Sequence, residues 1–298
     1  MLKKLLDVCT KENVKQQEPM KNYTTFRTGG PADFLVLPET KEQLKQVLAI
    51  IKEENVPLTV IGNGSNLLVS DKGIRGVVVC TCKMKEISAN GTEITASCGV
   101  TMAALAACAK QASLTGLEFA SGIPGTVGGG IVMNAGAYDG CLSDCAAETL
   151  CIDLNGNEKR FCGDEQKFSY RKSAFSGGDW IVVESKFQLK PGNAQEIEDK
   201  MKDLNARRKE KQPLEKPSAG STFKRPEGYF AGKLIEDAGL KGYRVGGACV
   251  SEKHAGFVVN DQNGTTEDVL AVIRHCQETI LKKEGVQMET EVRIIGEF

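Results

Sequence analysis

Two glycine-rich segments are the residues whose type and spacing point most directly to chemistry. The first is Gly62-Asn63-Gly64-Ser65-Asn66, between two short apolar runs. The second, Gly122 to Gly130, has five glycines in nine residues and continues to Asn134-Ala135-Gly136-Ala137. Glycine has no side chain, so its backbone N–H groups can closely approach phosphate oxygens. Two such segments suit a ligand with two phosphates.

A simpler interpretation is that both segments are tight turns. Neither has the dinucleotide-binding spacing G-x-G-x-x-G, and the chain has no G-x-x-x-x-G-K-[ST]. Many adjacent glycines are costly in chain entropy, which favours a ligand-binding role for the second segment. The glycine density predicts a loop of unusual backbone geometry over Gly122 to Gly130.

The cysteines and histidines are the next candidates for a site. The chain has eleven cysteines, an odd number, without a C-x-x-C pair, and only two histidines. A zinc cluster is therefore hard to build, and we expect no metal site. Together with the absence of a secretory signal, this favours free, buried thiols.

The elements that must position these residues alternate between helix and strand in the N-terminal part. Thr40 and Gln43 form a capping-box pattern before a helix, and Pro57 ends it. Three strands are predicted next, and their alternation with the helix is βαβ-like. They cover Leu58 to Ile61, Leu67 to Val69 and Val77 to Val79.

Further along, the pattern predicts helices over Met102 to Ser113, from near Ile197 to Lys211, and over Glu267 to Glu284. The last should bury Leu270, Ile273, Cys276 or Gln277, Ile280 and Leu281, and end at Gly285. Strands are predicted over Thr149 to Leu154 and Trp180 to Leu189. Pro191-Gly192-Asn193 indicates a domain boundary near 192–200.

Charge and hydropathy exclude several classes of protein. The formal net charge is −1, so no bulk positive field draws the chain to nucleic acid or anionic lipid. No apolar run reaches the roughly 18–20 residues needed to span a bilayer. The first fifteen residues lack a signal-peptide pattern. These features predict a cytoplasmic protein with no nucleic-acid, membrane or obligate protein partner.

Seven motifs in order resemble the UDP-N-acetylenolpyruvoylglucosamine reductase family, which reduces a precursor in peptidoglycan synthesis. They are GNGSNLLVSD (62–71), GIPGTVGGGIVMNAGAY (122–138), YRKS (170–173), SAGSTFK (218–224), AGKLIEDAGLKGYRVGG (231–247), SEKHAGFVVN (251–260) and EVRIIGE (291–297). The resemblance runs from about Asn22 to Phe298.

The resemblance implies an α+β protein. Residues 1–192 would form a two-lobed FAD-binding domain of the vanillyl-alcohol-oxidase (PCMH) type, with lobes of about 1–80 and 81–192. Residues 193–298 would form an α+β substrate-binding domain. FAD would be bound non-covalently and NADPH would reduce it. The implied cofactor-binding residues are Gly62, Asn63, Gly64, Ser65, Asn66, Leu67, Gly122, Ile123, Pro124, Gly125, Thr126, Gly128, Gly129, Asn134, Gly136 and Ala137.

The same resemblance implies three catalytic residues. Arg171 would meet the substrate carboxylate, Ser221 would deliver a proton to carbon, and Glu291 would act in a protonated or hydrogen-bonded form. Without the resemblance, these are an ordinary surface arginine, a loop serine and a glutamate on the solvent face of a strand.

Substrate contacts are implied at Tyr170, Lys211, Lys224, Arg225 and Tyr243. The basic run Arg207 to Lys211 suits a diphosphate, or is a solvated helix end. Only Lys190 to Gln195 separate the last strand of the first domain from the next helix, which indicates the subtype without a substrate-covering tyrosine loop. Two alternatives are another FAD-linked oxidoreductase on the same flavin domain and a non-catalytic sugar-nucleotide-binding relative.

Overall fold

The structure is a computed structural model that describes every residue from Met1 to Phe298. Its helices are α1 Leu2–Val8, α2 Lys41–Glu53, α3 Met102–Gln111, α4 Val127–Val132, α5 Ala194–Lys211, α6 Ala231–Asp237 and α7 Thr266–Glu284. Short 3₁₀ helices lie at Lys11–Asn13, Met20–Tyr23, Thr81–Lys83, Glu118–Gly122, Leu142–Asp144 and Gly163–Gln166. None of the helices is long and apolar enough to cross a membrane.

The first nine strands are β1 Val14–Pro19, β2 Pro31–Val36, β3 Leu58–Ile61, β4 Leu67–Val69, β5 Ile74–Cys80, β6 Ile87–Asn90, β7 Glu93–Ser97, β8 Leu114–Thr115 and β9 Gly136–Ala137. The others are β10 Gly140–Cys141, β11 Ala146–Asp153, β12 Glu158–Cys162, β13 Trp180–Gln188, β14 Lys190–Pro191, β15 Arg244–Val245, β16 Ala248–Val250, β17 Val258–Asn260 and β18 Arg293–Ile295.

The chain forms two compact units. Unit 1 comprises Met1–Lys15, Phe34–Asn63 and Gly76–Arg208, and unit 2 comprises Gln16–Asp33, Gly64–Arg75 and Lys209–Phe298. Each unit has its own hydrophobic core. Unit 2 thus includes two segments from the N-terminal part of the chain, whereas a single division at residue 192 would place both in the first domain. The predicted domain limits, 1–192 and 193–298, stay a prediction.

Unit 1 contains a five-stranded antiparallel sheet of order β12-β11-β13-β7-β6. A second sheet has the order β1-β2-β5-β3, and in it Leu58–Ile61 pairs in parallel with Val77–Cys80. Helix α2 stands between β2 and β3 in the chain, in agreement with the predicted alternation of helix and strand. The parallel pair of β3 and β5 is instead connected by residues 62–73, which contain β4 and no helix. The Thr40 side chain accepts from the Gln43 N–H, and the Gln43 amide oxygen accepts from the Glu39 N–H, so α2 is capped as its sequence predicts.

Unit 2 is built on the antiparallel sheet β15-β16-β17 and on α7. A further pair joins β4 to β18 in parallel, with Leu67 opposite Arg293 and Val69 opposite Ile295. Helix α7 stops at Gly285, as predicted. It begins with a capping box between Thr265 and Asp268 that the sequence analysis did not identify. Leu281, predicted to be buried, is 53% exposed, because the buried side of α7 passes through Val269, Val272 and Ile273 instead.

Two further predictions are corrected by the structure. The segment Gly122 to Gly130 is not wholly a loop, because its last three glycines lie in α4 with Thr126 at the N-cap. The Gly130 N–H donates to the Thr126 carbonyl, which begins the helical hydrogen bonding. All eleven cysteines are free thiols, and seven are buried, but Cys162 is exposed and three others are half-buried.

Candidate active site

Gly62 and Asn63, which begin the first glycine segment, contact the second glycine segment within unit 1. The Asn63 side-chain amide donates to the Pro124 carbonyl oxygen over 2.7 Å. A Cβ atom placed on Gly62 would lie only 2.5 Å from the Thr126 hydroxyl oxygen. That hydroxyl is buried and has no hydrogen-bond partner within the protein. The contact between the two segments therefore leaves a polar atom available for a ligand with hydrogen-bonding groups.

Gly128 and Gly129 have different surroundings although they are neighbours in α4. A Cβ at buried Gly128 would lie 2.8 Å from the Cβ of Cys98, so close packing inside unit 1 accounts for this glycine. Gly129 is exposed, and a Cβ there would meet nothing nearer than the Thr126 hydroxyl oxygen at 3.9 Å. Glycine costs a helix interior about 1 kcal/mol relative to alanine. No packing contact in the protein explains a glycine at this exposed helix position, but the close approach of a ligand would explain it.

Helix α5 holds the start of the second glycine segment, a contact that the sequence analysis did not predict. In unit 1 the Arg208 guanidinium of α5 donates to the Gly122 carbonyl oxygen, and the Asn205 amide donates to the Ser121 hydroxyl over 3.1 Å. Burial lowers the pKa of Arg208, but its guanidinium stays charged. Asn205 and Arg208 are three residues apart and share a helix face, but this spacing does not indicate which segment they contact.

Arg171 lies in unit 1, on a turn that contacts the second glycine segment. Its backbone has φ +55°, a left-handed conformation that is unusual for arginine and frequent at functional sites. Its guanidinium donates to the Gly136 carbonyl over 3.3 Å and lies 5.2 Å from the ring centre of Tyr170, which is 58% exposed. The Asn134 amide donates to the Ser169 carbonyl over 3.2 Å, which holds the same turn.

Ser221 and Glu291 lie on adjacent segments of unit 2. The Glu291 N–H donates to the Thr222 carbonyl over 2.8 Å, and the Lys224 N–H donates to the Glu289 carbonyl over 2.9 Å. Between these bonds, Phe223 and Thr290 form an antiparallel bridge. Ser221 is exposed, while Glu291 is half-buried. The structure therefore places these two predicted residues on neighbouring segments, with Glu291 bonded to the residue that follows Ser221.

The end of the first glycine segment also bonds to the segment that contains Glu291. The Asn66 side-chain amide donates to the Glu291 carbonyl over 3.1 Å, and the Arg293 N–H donates to the Asn66 carbonyl over 3.0 Å. Leu67 then begins β4 beside β18. Gly64 has φ +60°, and a Cβ there would overlap the Tyr23 carbonyl oxygen. Residues 64–67 are thereby fixed within unit 2, next to the backbone of Glu291.

The predicted substrate residues lie on several elements. Lys211 is exposed at the end of α5. Lys224 pairs with Glu289 at 2.8 Å, and the Arg225 guanidinium lies 4.0 Å from the ring centre of Phe230. The ring of Tyr243 stacks on His275 with their centres 3.9 Å apart. Their roles toward a substrate stay predictions.

Two family models match separate parts of the chain. A family model described as "FAD binding domain" matches residues 32–161, and one described as "UDP-N-acetylenolpyruvoylglucosamine reductase, C-terminal domain" matches residues 212–295. The enzyme named UDP-N-acetylenolpyruvoylglucosamine reductase in Caldanaerobacter subterraneus subsp. tengcongensis is 49% identical over 297 residues, covering 100% of this chain and 98% of that protein. The chain belongs to the UDP-N-acetylenolpyruvoylglucosamine reductase family.

Other relatives support the same assignment. The reductase of Agathobacter rectalis is 52% identical, in an alignment that covers 95% of this chain and 94% of that protein. The crystal structure of UDP-N-acetylenolpyruvylglucosamine reductase from Thermus caldophilus has a TM-score of 0.81 at 35% identity, covering 94% of this chain and 98% of that chain. Membership of this reductase family is therefore supported by both sequence and fold.

The fold prediction is confirmed by a more distant likeness. The structure of p-cresol methylhydroxylase has a TM-score of 0.58 at 13% identity, covering 96% of this chain and 87% of that chain. At this identity the likeness shows the fold alone. Together with the two family models, it confirms an α+β protein with an FAD-binding domain of the PCMH type and a separate C-terminal domain.

Proposed function

We propose that this chain reduces the enolpyruvyl ether of UDP-N-acetylglucosamine to the lactyl ether, giving UDP-N-acetylmuramate for peptidoglycan synthesis, with Arg171, Ser221 and Glu291 as its catalytic residues. The observation that carries this proposal is the agreement with reductases over the full length of the chain. FAD held by the glycine segments would supply the hydride for the enolpyruvyl group, and NADPH would be the source of that hydride. Side chains of the protein stabilise the negative charge and deliver the proton.

Gly62, Asn63 and the second glycine segment are the part of unit 1 that fits FAD. The Thr126 hydroxyl and the open face of Gly129 are adjacent, and Asn63 and Pro124 fix the segments to each other. We assign to these residues the contacts with the cofactor. Binding there is non-covalent.

The substrate carboxylate needs a cation once hydride has been added to the terminal carbon of the enolpyruvyl group, because negative charge then collects on the carboxylate in an enol form. The Arg171 guanidinium keeps its charge and can present two N–H groups in one plane to a carboxylate. Its left-handed backbone and its bond to the Gly136 carbonyl fix the base of the side chain. We assign Arg171 to the carboxylate.

The reduction is complete only when a proton reaches the carbon that bears the carboxylate and the ether oxygen. Ser221 is exposed, and the Thr222 backbone that follows it is bonded on both its N–H and its carbonyl, so the hydroxyl is presented on a fixed segment. Glu291 lies on the paired segment and, if protonated, can donate a hydrogen bond to the developing enol form. A negative Glu291 would instead repel that charge, which is why we assign it the protonated form.

The residues assigned to the substrate include exposed cations, which suit a sugar nucleotide. Lys211 and Arg225 are exposed cations of unit 2 and suit the diphosphate. Tyr170 and Tyr243 are half-buried or exposed aromatics, and Lys224 is braced by Glu289. We also propose that the protein acts in the cytoplasm on this small molecule, without nucleic acid, membrane or an obligate protein partner.

Spectroscopy of the purified protein tests the function as a whole. The protein should be yellow, lose its flavin absorbance on anaerobic addition of NADPH, and regain it when the enolpyruvyl nucleotide is added. Bleaching without recovery would point instead to another FAD-linked oxidoreductase, and no bleaching to a non-catalytic relative.

A second measurement tests how the cofactor is held. Acid precipitation or boiling should release all of the yellow chromophore into the supernatant, because the fold offers hydrogen bonds and close packing. Colour retained in the pellet would identify a covalent link and contradict this prediction.

Replacing Gly129 by leucine should abolish flavin binding without unfolding the protein. The new side chain projects from an exposed position where the protein leaves room, so only an approaching ligand is blocked. Flavin content per mole of protein and the Tm of the flavin-free form are the measurements. A stable Gly129→Leu protein with full flavin content would show that this glycine does not face the cofactor.

Gly128→Leu is the matched comparison. Its side chain would enter the core beside Cys98, so the flavin-free protein should lose stability by about 1–3 kcal/mol, the usual cost of overpacking. The structure thus separates two neighbouring glycines that the sequence alone treats as equivalent.

A further inference from the structure

His254 lies at the centre of a tight turn in unit 2. Its backbone N–H donates to the Ser251 hydroxyl over 3.3 Å, and its carbonyl accepts from the Phe257 N–H over 3.0 Å. Its ring nitrogen Nδ1 accepts from the Gly256 N–H over 3.1 Å. The ring also packs edge-on against Phe257, with centres 4.9 Å apart. The imidazole is therefore part of the turn that its own backbone forms.

This turn holds the segment that presents Ser221. The Gly256 carbonyl accepts from the Thr222 N–H over 2.8 Å. The Val258 N–H donates to the Thr222 hydroxyl over 2.9 Å, and Thr222 has no exposed surface. A short chain of hydrogen bonds therefore runs from the imidazole through Gly256 to Thr222, the residue directly after Ser221.

The bond from Gly256 requires a neutral imidazole, with the proton on Nε2. If Nδ1 gained a proton, two N–H groups would face each other and the bond would be lost. Burial lowers the pKa of His254, which favours the neutral ring. The charged groups that act on the ring are Lys241 and Glu236, which pair with each other at 2.7 Å and oppose each other in effect.

We propose that His254 is a positioning residue for Ser221: its neutral imidazole accepts from Gly256 and so fixes the turn that holds Thr222 and the serine before it. This inference rests on the function proposed for Ser221 and adds a residue that acts through the backbone. It also sets a direction for pH. Because the folded pKa is lowered, the bond is fully present above the ordinary histidine value near 6.5 and is lost as pH falls through the folded value.

Two substitutions distinguish positioning from simple packing. His254→Asn places a neutral oxygen near the position of Nδ1, whereas His254→Leu removes the acceptor and keeps an apolar side chain. Stopped-flow measurement on each FAD-loaded protein gives the rates of flavin reduction by NADPH and of flavin reoxidation by the enolpyruvyl nucleotide. At pH 7.5, His254→Leu should slow reoxidation roughly 10- to 100-fold, as expected for a misplaced catalytic group. His254→Asn should recover most of that rate, and neither should change flavin reduction.

The pH profile supplies the decisive comparison. Reoxidation by the wild-type protein should fall on the acid side with a midpoint below 6.5, and His254→Asn should lack this limb. The chain has only two histidines, so the imidazole proton resonance missing from the His254→Asn NMR spectrum belongs to His254 and reports its titration directly. A His254 that titrates above 6.5, or equal reoxidation rates in the Asn and Leu proteins, would overturn the proposal.

Failure of this inference can be told apart from failure of the proposed function. If Ser221→Ala slows reoxidation and His254→Leu does not, only the role of His254 is wrong. If Ser221→Ala leaves reoxidation unchanged, the role of Ser221 is wrong and that of His254 with it. The Tm of each variant shows whether a lost rate reflects unfolding, and a His254→Leu protein that is both unfolded and not rescued by His254→Asn would count against positioning.

Discussion

Ser221→Ala should separate the two halves of the reaction. Reduction of the bound flavin by NADPH should proceed at a rate near that of the wild type, because no substrate carbon is protonated in that step. Reoxidation by the enolpyruvyl nucleotide should fall by roughly 10²–10⁴-fold, the usual effect of losing a general acid. Stopped-flow absorbance of each half-reaction measures both rates on one sample.

Two further variants sharpen this test. Ser221→Cys should restore part of the reoxidation rate, since a thiol with a pKa near 8.5 is a stronger acid than an alcohol and has a similar volume. Ser218→Ala, in the same loop, should change either rate by only a few-fold. If Ser221→Ala slowed both half-reactions equally, Ser221 would be a binding or folding residue.

Arg171→Lys should also damage reoxidation selectively. Lysine keeps the positive charge but not the planar pair of N–H groups, so its grip on the carboxylate weakens as negative charge develops there. We expect a fall of about 10²–10³-fold, comparable to removing one donor from a charge-stabilising site. Flavin content and the rate of flavin reduction should stay near those of the wild type.

Lys172→Ala is the matched control for charge. Lys172 follows Arg171 on the same turn and is exposed, so its loss changes the local charge without touching the assigned group. A similar fall in both variants would mean that general electrostatics at this turn, and not the guanidinium of Arg171, controls the rate.

Local patterns predicted the regular elements well. The Thr40 and Gln43 cap, the strand at Leu58–Ile61 and the stop of α7 at Gly285 follow from short-range chemistry that the sequence displays directly. The fold class and the family followed from motifs whose order along the chain is specific. The helical part of the second glycine segment was missed, because glycine disfavours a helix in isolation. Glycine is required at Gly128 because α4 packs closely against Cys98, and this contact is visible only in the folded protein.

Long-range contacts could not be read from sequence patterns. Nothing local indicates that the Arg208 side chain reaches the Gly122 carbonyl, 86 residues away, or that Asn66 holds the Glu291 carbonyl. Leu281 fits the helical period yet is exposed, because the direction of the buried face depends on what α7 packs against. The role of His254 in its turn likewise depends on a backbone geometry that residue spacing does not encode.

The parallel pairing of β4 with β18 has a consequence for how the protein folds. Leu67–Val69 and Arg293–Ile295 lie far apart in the sequence, so their pairing closes a very long loop. Until the loop closes, β4 has an open edge. Such distant strand pairing is slow to form and leaves an exposed edge that invites aggregation. Refolding of the denatured protein should therefore lose a growing share of the chains to aggregation as the protein concentration is raised.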